Sequence, residues 1–224
     1  MKKFLIKGLV YFSILSIGAL IGYKVPKLLW GKAESNLNIS ATDNKDVSLN
    51  DLSGIYISDT NNSSNSSEII FHIESEEEPV QGKFNDFLIV LNAHQDFTQS
   101  EITVSINTKS LFTDNDYRDK SLLDVDFFNV ETYPEILFTS HAVANLPCND
   151  TLDYISTGKL QMLGVNKHLD IQFNLVGTGE NDAGKEIAIF KGGFTFNRTQ
   201  FGMPEYEGIA DNVFVEFTTE LTKQ

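Results

Sequence analysis

Alternation of apolar and polar residues with a period of two runs through much of this sequence after residue 53. Ile102, Val104 and Ile106 alternate with polar residues, and residues 169–175 and 213–218 repeat the pattern. Successive side chains of a β-strand point to opposite faces of the sheet, so the alternation predicts strands with one buried face. The other segments that we predict as strands are 54–58, 68–74, 80–92, 135–143, 152–163 and 186–197.

The order of these segments predicts an all-β domain over residues 53–224. Clusters of Asn, Ser, Gly and Asp separate about eight strands with no long helix between them, which favours an antiparallel sandwich or barrel. One short helix is predicted over residues 119–130. The domain is long enough to bury a core of ordinary size.

The first 32 residues differ from the rest in charge and hydropathy. They contain six lysines and no acid, and they enclose an apolar run at residues 8–23. We expect residues 1–32 to be an uncleaved N-terminal membrane anchor; a cleaved signal peptide and a buried helix are the alternatives. Residues 33–52 are polar and without periodicity, which is typical of a linker.

The charge of the remaining chain argues against nucleic-acid binding. The whole chain has a net charge of −14, and without the six N-terminal lysines it becomes −20. Such a domain is repelled by phosphate backbones, because nucleic-acid affinity comes largely from lysine and arginine. The single cysteine, Cys148, excludes an intrachain disulfide and a multi-cysteine metal site.

No sequence motif indicates catalysis, a metal or a cofactor. The four histidines lack the spacing of a metal-binding motif, and no serine lies in a GxSxG pattern. Residues 179–185 match a phosphate-binding loop by letter, but Glu186 stands where that loop needs Ser or Thr, so we interpret them as a hairpin turn. We therefore expect a protein that is not an enzyme and has no metal.

Phenylalanine is concentrated in the predicted strands, and strand phase places several of these rings inside. From pattern alone, the rings form either a packed core or the wall of a cavity for an elongated apolar ligand. Arg198 follows the strand 186–197, beside Phe196 and Phe201. This arginine can pair with Asp126 or Asp119 and so hold the helix over the barrel, or it can face a ligand headgroup.

Five ordered motifs resemble those of the YceI family, the lipocalin-like polyisoprenoid-binding proteins of the bacterial envelope. They are SLFT at 110–113, RD at 118–119, DFFNVETYPEILFTS at 126–140, GKLQMLGVNK at 158–167 and NRTQFGM at 197–203. Ser121 and Asn166 stand where the family pattern has histidine and threonine. The resemblance covers residues 54–222.

The resemblance implies an eight-stranded antiparallel barrel with one short helix and an apolar cavity. Its ligand would be an isoprenoid lipid, either a polyisoprenoid or an isoprenoid quinone, bound without catalysis for transport, storage or sequestration. The domain would lie on the periplasmic side of the inner membrane, attached through the N-terminal segment. The resemblance leaves open whether the domain forms a homodimer. The alternative is a structural or protein-interaction barrel with a solid core.

Strand phase and this resemblance together define the residues that we predict to contact the ligand. The set on the strands is Phe84, Phe87, Ile89, Ile102, Val104, Ile106, Phe138, Leu160, Ile171, Phe173, Phe194 and Phe196, with Phe127, Phe128 and Phe201 near the mouth. A shift of one residue would place a strand's whole set on the other face.

Overall fold

The computed structural model describes residues 48–59, 67–148 and 151–224. The predicted N-terminal anchor, residues 1–32, and most of the predicted linker lie outside these ranges. Within them, no helix is long and apolar enough to cross a membrane. The strands and the α-helix are β1 Gly54–Ser58, β2 Glu68–Ser75, β3 Val80–Phe84, β4 Phe87–Ala93, β5 Glu101–Asn107, β6 Leu111–Phe112, α1 Asp116–Leu123, β7 Glu135–Cys148, β8 Thr151–Met162, β9 Val165–Glu180, β10 Glu186–Asn197 and β11 Ile209–Lys223.

Eight of these strands form a closed antiparallel barrel. Their order is β1, β4, β5, β7, β8, β9, β10 and β11, and β11 pairs back onto β1 with Tyr56 opposite Lys223. β2 continues along β11 beyond β1, and β3 and β6 follow it. The all-β fold and the barrel alternative are confirmed, and closure leaves the eight-strand ring without a free edge.

Several predicted elements have different bounds in the structure, and two of them differ most. The predicted strand 80–92 is two strands, broken at Asn85 and Asp86, which are both exposed. The predicted helix 119–130 is α1, which begins earlier because the Asn115 side chain accepts hydrogen bonds from the backbone N–H groups of Tyr117 and Arg118. It ends at Leu123, and a series of turns follows.

Three glycines on the inner faces of the strands make room for phenylalanine rings. Gly82 pairs with Phe71 and Gly192 with Phe217, and Gly158 lies against the Phe138 ring. A Cβ atom on any of the three would lie 2.2–2.5 Å from the nearest ring carbon. The barrel therefore accommodates large aromatic side chains inside by omitting a side chain beside each of them.

One end of the barrel is closed by the segment that precedes β1. A 3₁₀ helix at Leu49–Asp51 carries a capping box with Ser48, and Leu49 and Leu52 are each 1% exposed. The sequence places residues up to 52 in the polar linker, and this boundary is wrong. The two leucines are buried in the core, so the barrel domain includes these residues.

Near this closed end, a buried tyrosine is bonded to a carboxylate. The Tyr56 hydroxyl donates to Glu186 Oε1, and Lys223 Nζ lies 2.9 Å from Glu186 Oε2. Burial and this hydrogen bond raise the pKa of Tyr56 well above its usual range. Burial alone would raise the pKa of Glu186, but the hydrogen bonds from Tyr56 and Lys223 outweigh it and hold that pKa below 4.5.

Replacing Tyr56 with phenylalanine is expected to lower the free energy of unfolding by about 1 kcal/mol at pH 7. A carboxyl whose pKa is depressed on folding stabilises the protein above its unfolded pKa, and this stabilisation is lost as the pH falls through the folded value. The difference between wild type and Tyr56→Phe should therefore shrink as the pH falls below about 4.5, the ordinary pKa of Glu186. Urea denaturation at several pH values measures it; a difference that grows on acidification would contradict the assignment.

Candidate functional site: an apolar cavity

A cavity of about 290 Å³ lies inside the barrel. Its volume is at the lower limit of the roughly 300–1,000 Å³ that is usual for small-molecule sites. Thirty of its 35 lining residues are hydrophobic, and they come from both the barrel strands and the segment after α1. The barrel's own side chains do not fill its interior.

Thirteen of the fifteen residues predicted to contact a ligand lie on the wall of this cavity. They are Phe84, Ile89, Ile102, Val104, Ile106, Phe127, Phe128, Phe138, Leu160, Ile171, Phe173, Phe194 and Phe196. The strand phase was therefore read correctly for the eleven of these residues that lie on strands, and Phe127 and Phe128 lie in the turns after α1. Their contact with a ligand stays a prediction.

The other two predicted residues, Phe87 and Phe201, are in the hydrophobic core but not on the cavity wall. Phe87 is the first residue of β4 and is 5% exposed. Phe201 ends the 3₁₀ helix Arg198–Phe201, so strand phase does not apply to it, and its ring packs edge-on against Phe196 with 5.7 Å between centroids.

Several wall residues were missing from the predicted set. Phe190 shares the alternation of its strand with Phe194 and Phe196, and Phe217 lies in the alternating segment 213–218, so applying the strand phase there would have found both. Leu122 and Met203 lie outside the strands and carried no such signal. The remaining hydrophobic wall residues are Ile69, Phe71, Ile73, Val80, Leu91, Phe97, Ile136, Met162, Leu169, Ile209, Val213, Val215 and Leu221.

Arg198 does not pair with Asp126 or Asp119, so both predicted partners are wrong. Its guanidinium is 3.0 Å from Asp211 Oδ1 and also donates to the carbonyl oxygens of Pro204, Ile209 and Ala210. The whole residue is 2% exposed. Arg198 therefore holds the loop before β11 against the end of β10.

The two aspartates have other positions. Asp119 Oδ1 accepts hydrogen bonds from both the backbone N–H and the hydroxyl of Thr113, and Arg118 donates to the Thr113 hydroxyl and carbonyl at 2.9 and 2.7 Å. This network fixes α1 to the residue after β6. Asp126 is exposed in the turn after the helix.

The end of the cavity opposite Leu49 is surrounded by three segments, which we call the mouth: residues 74–78, 124–128 and 204–209. The backbone N–H of Glu76 donates to the Gly208 carbonyl at 2.9 Å, and the rings of Phe127 and Tyr206 stack at 5.4 Å. Ile209 lines the cavity and is 38% exposed. The wall of the cavity therefore includes an exposed residue at the mouth.

Five polar side chains lie on the wall of the cavity. They are Arg118, Ser121, Ser156, Arg198 and Thr219, and the Thr219 hydroxyl lies 3.1 Å from that of Ser67. The Ser156 hydroxyl is buried, and no described residue bonds to it. Across the described ranges, no three His, Cys, Asp or Glu side chains are grouped to hold a metal ion.

Curated relatives match part of this chain. A UPF0312 protein of Pseudomonas putida is 33% identical over 125 residues, which are 56% of this chain and 64% of the relative. A UPF0312 protein of Pseudomonas savastanoi is 38% identical over 104 residues, 46% of this chain and 53% of the relative. The chain thus spans less than two thirds of the length of these relatives.

Solved structures share the fold. Burkholderia cenocepacia BcnA is similar with a TM-score of 0.60 and 22% identity, over 70% of this chain and 96% of that one. A polyisoprenoid binding domain from Saccharophagus degradans, implicated in plant cell wall breakdown, has a TM-score of 0.57 and 14% identity, over 77% and 100%. The family model of the YceI-like domain matches residues 58–221, nearly the whole barrel. The chain belongs to the YceI family.

Proposed function

We propose that this protein binds an isoprenoid lipid, a polyisoprenoid or an isoprenoid quinone, in the barrel cavity and does so without catalysis. The observation that carries the proposal is the cavity itself, an apolar space of about 290 Å³ inside the barrel whose wall includes the exposed Ile209. The solid-core alternative does not account for this space. The polyisoprenoid-binding domain that shares the fold supports the choice of ligand class.

The chemistry of the wall suits a hydrocarbon chain. Isoprene units offer only apolar surface, and moving a buried methylene from water to such a wall is worth about 0.8 kcal/mol. The wall has few polar groups that a hydrocarbon would leave without partners. A chain lying along the barrel axis would use the hydrophobic effect and would need no reacting side chain.

The proposal includes a place in the cell. Residues 1–32 would hold the barrel at the periplasmic side of the inner membrane, where it would transport, store or sequester its lipid. The exposed acidic side chains of the barrel would keep a domain with an apolar interior in solution. Fractionation of cells that express the full chain, with protease added to intact spheroplasts, tests this placement.

Mass spectrometry of the intact full-length chain tests the lipid. We expect a population whose mass exceeds that of the bare chain by one isoprenoid molecule, and organic extraction should release that molecule. The bare mass alone, from cells that synthesise isoprenoid lipids, would contradict the proposal. A phospholipid or fatty acid in the extract would support lipid binding but would overturn the assignment of the ligand as an isoprenoid.

A further inference from the structure

We propose that the mouth selects an isoprenoid whose polar end carries no negative charge, and so discriminates against prenyl phosphates and diphosphates. This inference rests on the proposed function and adds the chemistry of the headgroup. It depends on three features of the described residues: the composition of the cavity wall, the partners of two arginines, and the charge of the mouth.

The wall directs the polar end of a ligand to the mouth. A polar group inside the cavity would lose its hydration among residues such as Phe173, Phe190 and Phe217, and a polar group without a hydrogen-bond partner is strongly disfavoured there. The far end of the barrel is closed by Leu49 and Leu52. The headgroup of a bound isoprenoid is therefore at the mouth.

The two arginines on the wall are already bonded within the protein. Arg198 donates to three backbone carbonyls and to Asp211, which neutralises its charge. Arg118 donates to the hydroxyl and carbonyl of Thr113, next to Asp119. A phosphate recognised by arginine needs free, pre-aligned N–H donors. Every guanidinium nitrogen of Arg198 already donates within the protein, and Arg118 is held in place through Nε and one Nη, both bonded to Thr113.

The mouth has a strongly negative charge. Residues 74–78 include four glutamates, residues 124–126 include two aspartates, and residues 205–207 include two glutamates, all exposed. The three segments that form the mouth contain no lysine or arginine. Glu76 is tied to the mouth, because its backbone bonds to Gly208 and its side chain lies over that glycine.

Charge at such a rim acts within about one Debye length, roughly 8 Å at physiological ionic strength. A diphosphate at the mouth would add two or more negative charges among these acids, and Arg198, already paired with Asp211, is not free to offset them. An alcohol or a quinone ring adds none. The arrangement therefore opposes one headgroup class and tolerates the other.

The experiment compares geranylgeraniol with geranylgeranyl diphosphate, which have the same isoprenoid chain, for displacement of the neutral dye Nile red from the full-length protein. We expect the alcohol to bind at least about tenfold more tightly at low ionic strength. Because the alcohol is also the more apolar ligand, the charge effect is isolated with a variant, Glu76→Gln/Glu77→Gln/Glu78→Gln. This variant should bind the diphosphate at least about threefold better than wild type and the alcohol equally well.

A matched control neutralises three exposed acids at the closed end, Glu101→Gln/Glu180→Gln/Asp182→Asn. The control should leave both affinities unchanged. Equal affinity of wild type for the two ligands, or no gain of diphosphate binding in the mouth variant, would overturn the headgroup inference while isoprenoid binding stands. Displacement by neither ligand would overturn both the inference and the proposed function.

Discussion

Replacing Gly192 with alanine is expected to lower the free energy of unfolding by at least about 3 kcal/mol, the upper range for overpacking a core. An added Cβ would lie 2.4 Å from the carbonyl oxygen of Gln172 and 2.4 Å from the Phe217 ring. The carbonyl belongs to the backbone of β9 and cannot turn away as a side chain can. Because β9 and β11 flank β10 in the ring, the strain would reach both neighbouring strands.

Chemical denaturation of the purified full chain measures this loss, with Gly184→Ala as the control. A Cβ on Gly184 meets no atom within 4 Å, so only its backbone angle, φ of +71°, opposes the change, at about 1 kcal/mol. The double variant Gly192→Ala/Phe217→Leu should remain destabilised, because the clash with the Gln172 carbonyl persists. A loss at Gly192 no greater than that at Gly184 would show that the strands move apart freely.

Replacing Val104 with tryptophan is expected to reduce the lipid that co-purifies with the protein at least tenfold without destabilising the barrel. Val104 lies on the cavity wall in the middle of β5, between Ile89 on β4 and Phe138 on β7. The indole would extend into the cavity of about 290 Å³ and occupy space proposed for the ligand. In a solid core, the same change would cost about 1–3 kcal/mol.

The measurement combines organic extraction of the affinity-purified chain with urea denaturation of the lipid-free protein. Val90→Trp is the control. Val90 lies in the neighbouring strand β4, on the face opposite to that of Ile89 and Leu91, and is not on the cavity wall. It should retain wild-type lipid content. Loss of stability in Val104→Trp with unchanged lipid would contradict the assignment of the cavity as a ligand site.

Much of the fold could be predicted because its signal is local. The alternation of Ile102, Val104 and Ile106 expresses the geometry of a strand with one buried face, and the structure places all three side chains on the cavity wall. Motifs shared with the YceI family predicted eight strands closed into a barrel. The break at Asn85 did have a local signal that was not used, because the buried positions are even at Gly82 and Phe84 and odd from Phe87 onward.

Strand phase placed eleven of the predicted residues on the cavity wall, and the YceI-like motif placed Phe127 and Phe128 there, but Phe87 and Phe201 are not on it. Phe173 and Phe194 were placed correctly from alternation, whereas Phe201, in a 3₁₀ helix, was not. The partner of Arg198 was also wrong. Its sequence neighbours favour no one acid, and Asp211 is selected because the loop before β11 folds back over the guanidinium.

The sequence by itself determined the strands, their buried faces, the family and the excess of acid over base. These properties depend on residue type and on spacing within a few positions. Only the tertiary structure decided that Leu49 and Leu52 close one end of the barrel, that Arg198 is bonded to Asp211, and that separate acidic segments meet at the mouth. Each of these depends on the approach of residues distant in the chain, and strand register and closure set that approach.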